Sequence, residues 1–251
     1  MTGANRNYSS DEWKARVELA AAYRAIHHWG WAGTIYNHIT LRIPGTHDQF
    51  LINNYGLTYD EITASNLVKI DINGKILGGP PDANINLAGY IIHSAIHAAR
   101  HDIDAIVHTH TPSGVAVSAM EDGLLPLGME STILAQTIGY HDFEGISVDE
   151  GEKVRLVADL GNHIGLILRN HGLLTVGRTI SEAIARIWLL ERACDIQVRA
   201  LAGGKVRHVA KHVQEQIAEQ AQKYDKDGSD DARMFAAMMR RLDRLDPSYR
   251  N

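Results

Sequence analysis

The stretch Ala105-Ile106-Val107-His108-Thr109-His110-Thr111-Pro112 constrains the fold of this chain more than any other. Its apolar run is too short for a helix and ends at a proline, a residue favoured in the first turn of a helix and excluded from a central strand. A buried strand, Ala105–Thr109, therefore feeds directly into a helix. Alternate side chains of a strand share a face, so His108 and His110 aim two imidazoles at one point. His171, in Leu168-Arg169-Asn170-His171-Gly172, follows a second apolar run, Ile164–Leu168, and can complete a ligand set for a divalent cation. Three neutral imidazoles with one position left open make a catalytic rather than a structural metal site, which favours an enzyme over an inert module. Spacing alone leaves another reading: His108 and His110 as core histidines, each with its own partner, and His171-Gly172 as a simple turn.

The 251 residues are ample for one α/β domain with a deep core, and two small domains remain open. A net charge of −5 with no long basic run argues against nucleic acid as a partner. The single cysteine, Cys194, lies in an apolar helical pattern and reads as a buried thiol. No signal-peptide core and no bilayer-spanning stretch stand out, so the expectation is a cytoplasmic protein without membrane contact. Of the 14 histidines, His27, His28, His208 and His212 fall on helical or terminal segments and read as surface or packing residues.

Ser9 and Glu12 have capping-box spacing ahead of a helix whose face carries Trp13, Val17, Ala20 and Tyr23, up to Gly30. His38–Ile43 and Gln49–Asn53 read as strands joined by Pro44-Gly45. Leu67–Ile72 and Lys75–Leu77 flank Asn73-Gly74, the strongest hairpin signal in the chain. A helix near Leu87–Arg100 has the stripe Ile92, Ala95, Ile96 and Ala99. Ser147 and Glu150 cap a helix ending near Gly161. Thr179 and Glu182 cap the longest helix, which runs to Gly203-Gly204. His208–Tyr224 and Asp231–Leu245 are polar helical segments.

Together the phrases Asn37-His38-Ile39-Thr40, Tyr55-Gly56-Leu57, Glu61-Ile62-Thr63-Ala64-Ser65, His93-Ser94-Ala95-Ile96-His97, Val107-His108-Thr109-His110, Tyr140-His141-Asp142-Phe143 and Leu168-Arg169-Asn170-His171-Gly172 resemble the class II aldolase/adducin family, nearest to the adducin head and its small enzyme-like relatives. The resemblance covers roughly Trp13 to Gly203. It implies an α/β fold, an αβα sandwich around a central, largely antiparallel sheet. Residues 1–204 would form this domain and 205–251 a helical tail on the same domain or a neighbouring subunit. It also implies a homotetramer with sites between subunits, and His108, His110 and His171 as metal ligands. Zinc is the usual ion for such a set, with manganese, cobalt and iron as alternatives.

The departures bear on substrate. Where the phosphate-binding members carry two serines and an acidic residue, this chain has Leu87-Ala88-Gly89. It lacks both hydroxyls and the acid that shuttles a proton, so the expected substrate is small and not phosphorylated. His38 stands where those aldolases place an asparagine, and Tyr55 replaces a small hydroxyl residue before Gly56. His38, Tyr55 and Gly56 are thus candidate substrate-binding residues. Arg169, in phase with His171, is a fourth, for a carboxylate. Glu130 is nominated as proton shuttle; Tyr140 and His141 read as a structural corner and His93 as a core histidine.

The leading functional reading is a metal-dependent carbon–carbon lyase, an aldolase or decarboxylase acting on a hydroxy or keto acid or a carbonyl compound through a stabilised enediolate. The absent acid at Gly89 tilts it toward decarboxylation or an aldol reaction on a non-phosphorylated acid. The alternatives are a non-catalytic binding or scaffold protein like the adducin head, and an iron-dependent oxygenase.

Overall fold

The computed structural model describes residues 8–145, 150–224 and 227–251. Eight strands form one sheet: β1 (His38–Arg42), β2 (Gln49–Ile52), β3 (Val68–Asp71), β4 (Ile76–Gly78), β5 (Ala105–Thr109), β6 (Ile138–His141), β7 (Gly165–Leu168) and β8 (Gly172–Gly177). Their spatial order is β4-β3-β2-β1-β5-β8-β7-β6. Every neighbouring pair is antiparallel except β6 with β7. Helices cover both faces, giving the α/β sandwich that the resemblance implies.

The two faces are legible in β5. Ala105 and Val107 join the larger core, built with α1 (Ser10–His28), α6 (Ile180–Ala202) and α8 (Ser229–Leu245). Ile106 joins the opposite core, under α2 (Leu87–Ala99) and α5 (Glu150–Leu160). His108 continues the α2 side and Thr109 the α6 side. Beyond His110, Pro112 opens α3 (Pro112–Ser118), with Thr111 as its cap. The chain then forms α4 (Met129–Leu134) before β6, and α7 (Lys211–Tyr224) later packs on α4.

The caps of two long helices match the sequence reading. Ser9 Oγ accepts from the Glu12 amide at 3.1 Å, and Thr179 Oγ1 accepts from the Glu182 amide at 3.2 Å. Glu12 does not reciprocate: its carboxylate binds the buried Arg16 guanidinium and Lys69. The α1 face also differs from the expected one. Trp13 and Val17 stay half-exposed, while Ala15, Leu19, Ala22 and Ile26 are buried. In α2, Ala99 is exposed and the stripe is completed by His93 and His97.

Strand β6 and strand β8 are additional to the expected elements. All six residues of β8 are buried, so it shows no period-2 alternation from which to read it. The Tyr140-His141 corner belongs to β6. The expected cap at Ser147 lies outside the described residues. In the C-terminal segment, α8 packs against α6 and α1 through Phe235, Met238 and Leu242. His27, His28, His208 and His212 are exposed, and Cys194 is buried, as expected.

Candidate metal centre

His108 is the last residue but one of a strand in the middle of the sheet, and His110 follows that strand. His171 leaves the tight turn between β7 and β8, where Asn170 takes a left-handed conformation (φ 56°) and the His171 amide bonds the Leu168 carbonyl at 3.0 Å. Gly172 lets β8 begin flush against β5, because a Cβ there would collide with the Thr109 carbonyl oxygen. This close approach brings the third imidazole to the other two.

The geometry converges. His110 Nε2 lies 2.6 Å from His108 Nε2 and 3.0 Å from His171 Nε2. All three ligand atoms fall within 4.8 Å of one another, the only such cluster of histidine, cysteine and acidic groups among the described residues. Tetrahedral bonds of about 2.0–2.1 Å would place ligand nitrogens about 3.3 Å apart, so a cation fits with slight widening. His108 Nδ1–H donates to the Leu173 carbonyl at 2.8 Å, which leaves the Nε2 lone pair facing the centre. Burial holds all three rings below the ordinary imidazole pKa, with repulsion from the neighbouring rings adding to it for His108 and His110, the latter at about 4. They are neutral at pH 7, as ligands must be. His108 is buried, whereas His110 and His171 are half-exposed, so the cluster opens on one side.

Of two nearby spaces, the smaller reaches the cluster through His171. A small cavity of about 10 Å³ lies between His141, Glu152, Phe143, Arg169 and His171. A groove of about 460 Å³ runs past Ser118, Met120, Glu121, Asp142, Phe143, Arg169 and Asn170. His141 contributes a feature that the corner reading misses. Its Nδ1 is 2.7 Å from the Asp159 carboxylate, while its buried Nε2 has no hydrogen-bond partner among the described residues and sits 3.9 Å from Glu152. Asp159, 18 residues on, belongs to no local motif shared with His141.

The remaining candidates divide. His38 pairs in register with His108 across β1 and β5 and lies in the buried layer beneath α2, its ring 5.6 Å from that of His108 and 4.2 Å from that of His93. Both its nitrogens are buried with no side-chain partner among the described residues, the backbone of Gly89 and Tyr36 lies against the ring, and burial lowers its pKa to about 4. His93 and His97 share the Thr40 hydroxyl at 2.8 Å each. Arg169 lines the groove, but its guanidinium donates to the Met120 carbonyl at 2.6 Å and lies over the Tyr140 ring; no carboxylate pairs with it among the described residues. Glu130 sits in the first turn of α4, 3.3 Å from Arg192, and lines neither space. Tyr55 and Gly56 lie in the loop after β2, where the Tyr55 amide bonds the Asn84 carbonyl.

Gly89 has a physical explanation. A Cβ there would lie 2.7 Å from His38 Cε1, so the imidazole of His38 occupies the space from which a side chain at position 89 would grow. Gly89→Ala should therefore destabilise the protein by about 1–3 kcal/mol, against the roughly 1 kcal/mol gain that alanine usually brings inside a helix. Urea unfolding of the two proteins checks the sign.

Residues 17–198 match the model for the class II aldolase and adducin N-terminal domain. A Pseudomonas aeruginosa protein named as a candidate aldolase class 2 protein is 44% identical over 247 residues, 96% of this chain and 94% of that protein. Rat α-adducin is 49% identical over 197 residues, 78% of this chain but 27% of the adducin. The crystal structure of an aldolase II superfamily protein from Pseudomonas syringae superposes with a TM-score of 0.95 at 48% identity, covering 99% of this chain and all of that one. No described helix is long and apolar enough to cross a membrane.

Proposed function

We propose that this chain, which belongs to the class II aldolase and adducin N-terminal domain family, is a divalent-metal-dependent carbon–carbon lyase for a small, non-phosphorylated hydroxy-carbonyl compound. The observation that carries the reading is the convergence of three neutral imidazoles, one of which, His171, lines a small cavity that shares Asp142, Phe143 and Arg169 with the neighbouring groove. A divalent cation there would supply Lewis-acid stabilisation of the charge that develops on a substrate oxygen as the adjacent carbon–carbon bond breaks.

The chain's own groups define the rest. Among the described residues that line the two spaces, Ser118 is the only hydroxyl and Arg169 the only guanidinium, too few to grip a dianion. The groove carries Glu121 and Asp142 against one guanidinium already bound to a carbonyl. An uncharged hydroxy-ketone or hydroxy-aldehyde suits this lining better than an acid, which places aldol cleavage ahead of decarboxylation. That cleavage needs a base to take the proton of the hydroxyl β to the carbonyl. The bond between the carbons then breaks, an aldehyde leaves, and the electron pair left on the α-carbon is quenched by a proton. His141 suits the proton transfers: Asp159 holds Nδ1, and the ring lines the cavity shared with His171. His38 would orient a substrate oxygen with a ring nitrogen that no side chain engages. The homotetramer, implied by the family, and the cytoplasmic location, expected from the residues, belong to this proposal.

Aldehyde and carbon dioxide release from panels of four- to six-carbon hydroxy-ketones and hydroxy-acids, with zinc- or cobalt-loaded protein, tests the reading. Aldehyde release is expected, falling 10²–10⁴-fold in His141→Gln with metal retained, and surviving in Glu130→Gln. Loss confined to Glu130→Gln would return the proton to Glu130, working across a subunit boundary. A folded chain that binds metal but turns over no member would favour a binding role like that suggested by the α-adducin likeness.

A further inference from the structure

The extended segment from β5 continues through Thr111 (φ −68°, ψ 151°), so its residues alternate between the two faces of the sheet. His108 and His110 take the metal side. Thr109 and Thr111 face α6, where both hydroxyls donate to a single carboxylate. Thr109 Oγ1 bonds Glu191 Oε1, and Thr111 Oγ1 bonds Glu191 Oε2 at 2.6 Å. Thr111 Oγ1 also accepts from the Gly114 amide at 3.0 Å, which ties the same contact to the start of α3.

Glu191 is 2% exposed. Among the described residues no cation pairs with it, and burial pushes its carboxyl up to about 7. A buried carboxylate without a cationic partner is expensive, and two hydroxyl donors compensate only part of the cost. Packing alone would be served better by leucine at this site. What a carboxylate adds is two acceptors at fixed spacing, matched to two donors on the reverse of the histidine-bearing segment.

We infer that Glu191 is a positioning residue for the metal centre: its two carboxylate oxygens pin Thr109 and Thr111, and so set the convergence of His108 and His110 on the opposite face. The inference rests on the metal reading of the histidine triad. Partners one step removed from the ligands typically change metal affinity 10–100-fold when lost. Glu191 acts through the backbone rather than through a ligand's other nitrogen.

The test is Co²⁺ titration of the metal-stripped full chain, read by visible d–d absorption and by chelator competition. The variants are Glu191→Gln, Glu191→Leu, Thr109→Val and, as a control one turn away on α6, Ile187→Val. Glu191→Gln should bind within about threefold of wild type, because the amide can accept from one hydroxyl and donate to the other. Glu191→Leu and Thr109→Val should weaken binding 10–100-fold and change the absorption band. Ile187→Val should lower the melting temperature while leaving affinity and band unchanged. The inference is overturned if Glu191→Leu, or Thr109→Val where the leucine variant does not fold, binds Co²⁺ within threefold with an unchanged band. It is equally overturned if Glu191→Gln is as weak as Glu191→Leu, since charge and not hydrogen-bond placement would then be the cause. A folded wild-type chain that binds no Co²⁺ overturns the metal reading, and this inference with it.

Discussion

Replacing His108 with alanine should lower affinity for a divalent cation by at least about 10³-fold, beyond the 10–100-fold typical of outer partners. His108 is the most constrained of the three ligands. It is buried in the central strand, its tautomer is set by the Leu173 carbonyl, and its Nε2 stands within 2.6 Å of that of His110. Its removal leaves two half-exposed imidazoles and a buried carbonyl without its donor, a further cost of about 1–3 kcal/mol to the metal-free fold. A cation at a thousandfold excess over its Kd should stabilise the wild type by about 4 kcal/mol. It should leave His108→Ala unchanged. Calorimetric titration and unfolding with and without metal separate the two losses. A metal-dependent gain in the variant equal to that of the wild type would place the cation elsewhere.

Acid should unfold the metal-free protein well above the pH at which carboxylates alone would act. Burial holds His38 at about 4 and His97 at about 3, and His93 well below the ordinary imidazole value. In the unfolded chain all three return to about 6.5. Between pH 6.5 and 4 the unfolded state thus binds more protons than the folded state, so stability rises with pH across that window and is lost on acidification. For His38 and His97 the loss by pH 4 is about 3 kcal/mol each, a large share of the 5–15 kcal/mol of a typical domain. Urea unfolding at pH 7.5, 6.5, 5.5 and 4.5 should show the fall setting in below pH 6.5, and less steeply in His97→Phe. That ring already packs 4.3 Å from Phe50 and would keep its apolar contact. Stability independent of pH over this range would contradict the neutral, buried state of these rings.

How much of this was legible in the residues follows from how far each interaction reaches. The His108/His110 pair could be read because strand periodicity alone puts i and i+2 on one face. Capped ends at Ser9 and Thr179 were legible for the same reason, being set within four residues. Strand β8 was hidden because burial on both faces removes the alternation that marks a strand. Strand β6 was hidden because it earns its place only by pairing with β7. At the site, the departure at Gly89 was visible, but not that His38 fills its space from a strand 51 residues away, since only the packing of α2 on β1 brings them together. Arg169 reads as a carboxylate binder from its phase with His171, but that the Met120 carbonyl engages its guanidinium depends on a segment 49 residues back and carries no local signal. Glu191 carried no signal at all: a glutamate amid apolar helix residues gives no hint of two threonine hydroxyls about 80 positions back.

X-ray absorption of the full chain carrying one equivalent of Zn²⁺ tests the central claim most directly. Three imidazole nitrogens are expected at about 2.0–2.1 Å with the remaining position held by a ligand from outside the chain, and one imidazole fewer in His171→Ala. A folded chain that retains no zinc, or a coordination shell unchanged by His171→Ala, would contradict it.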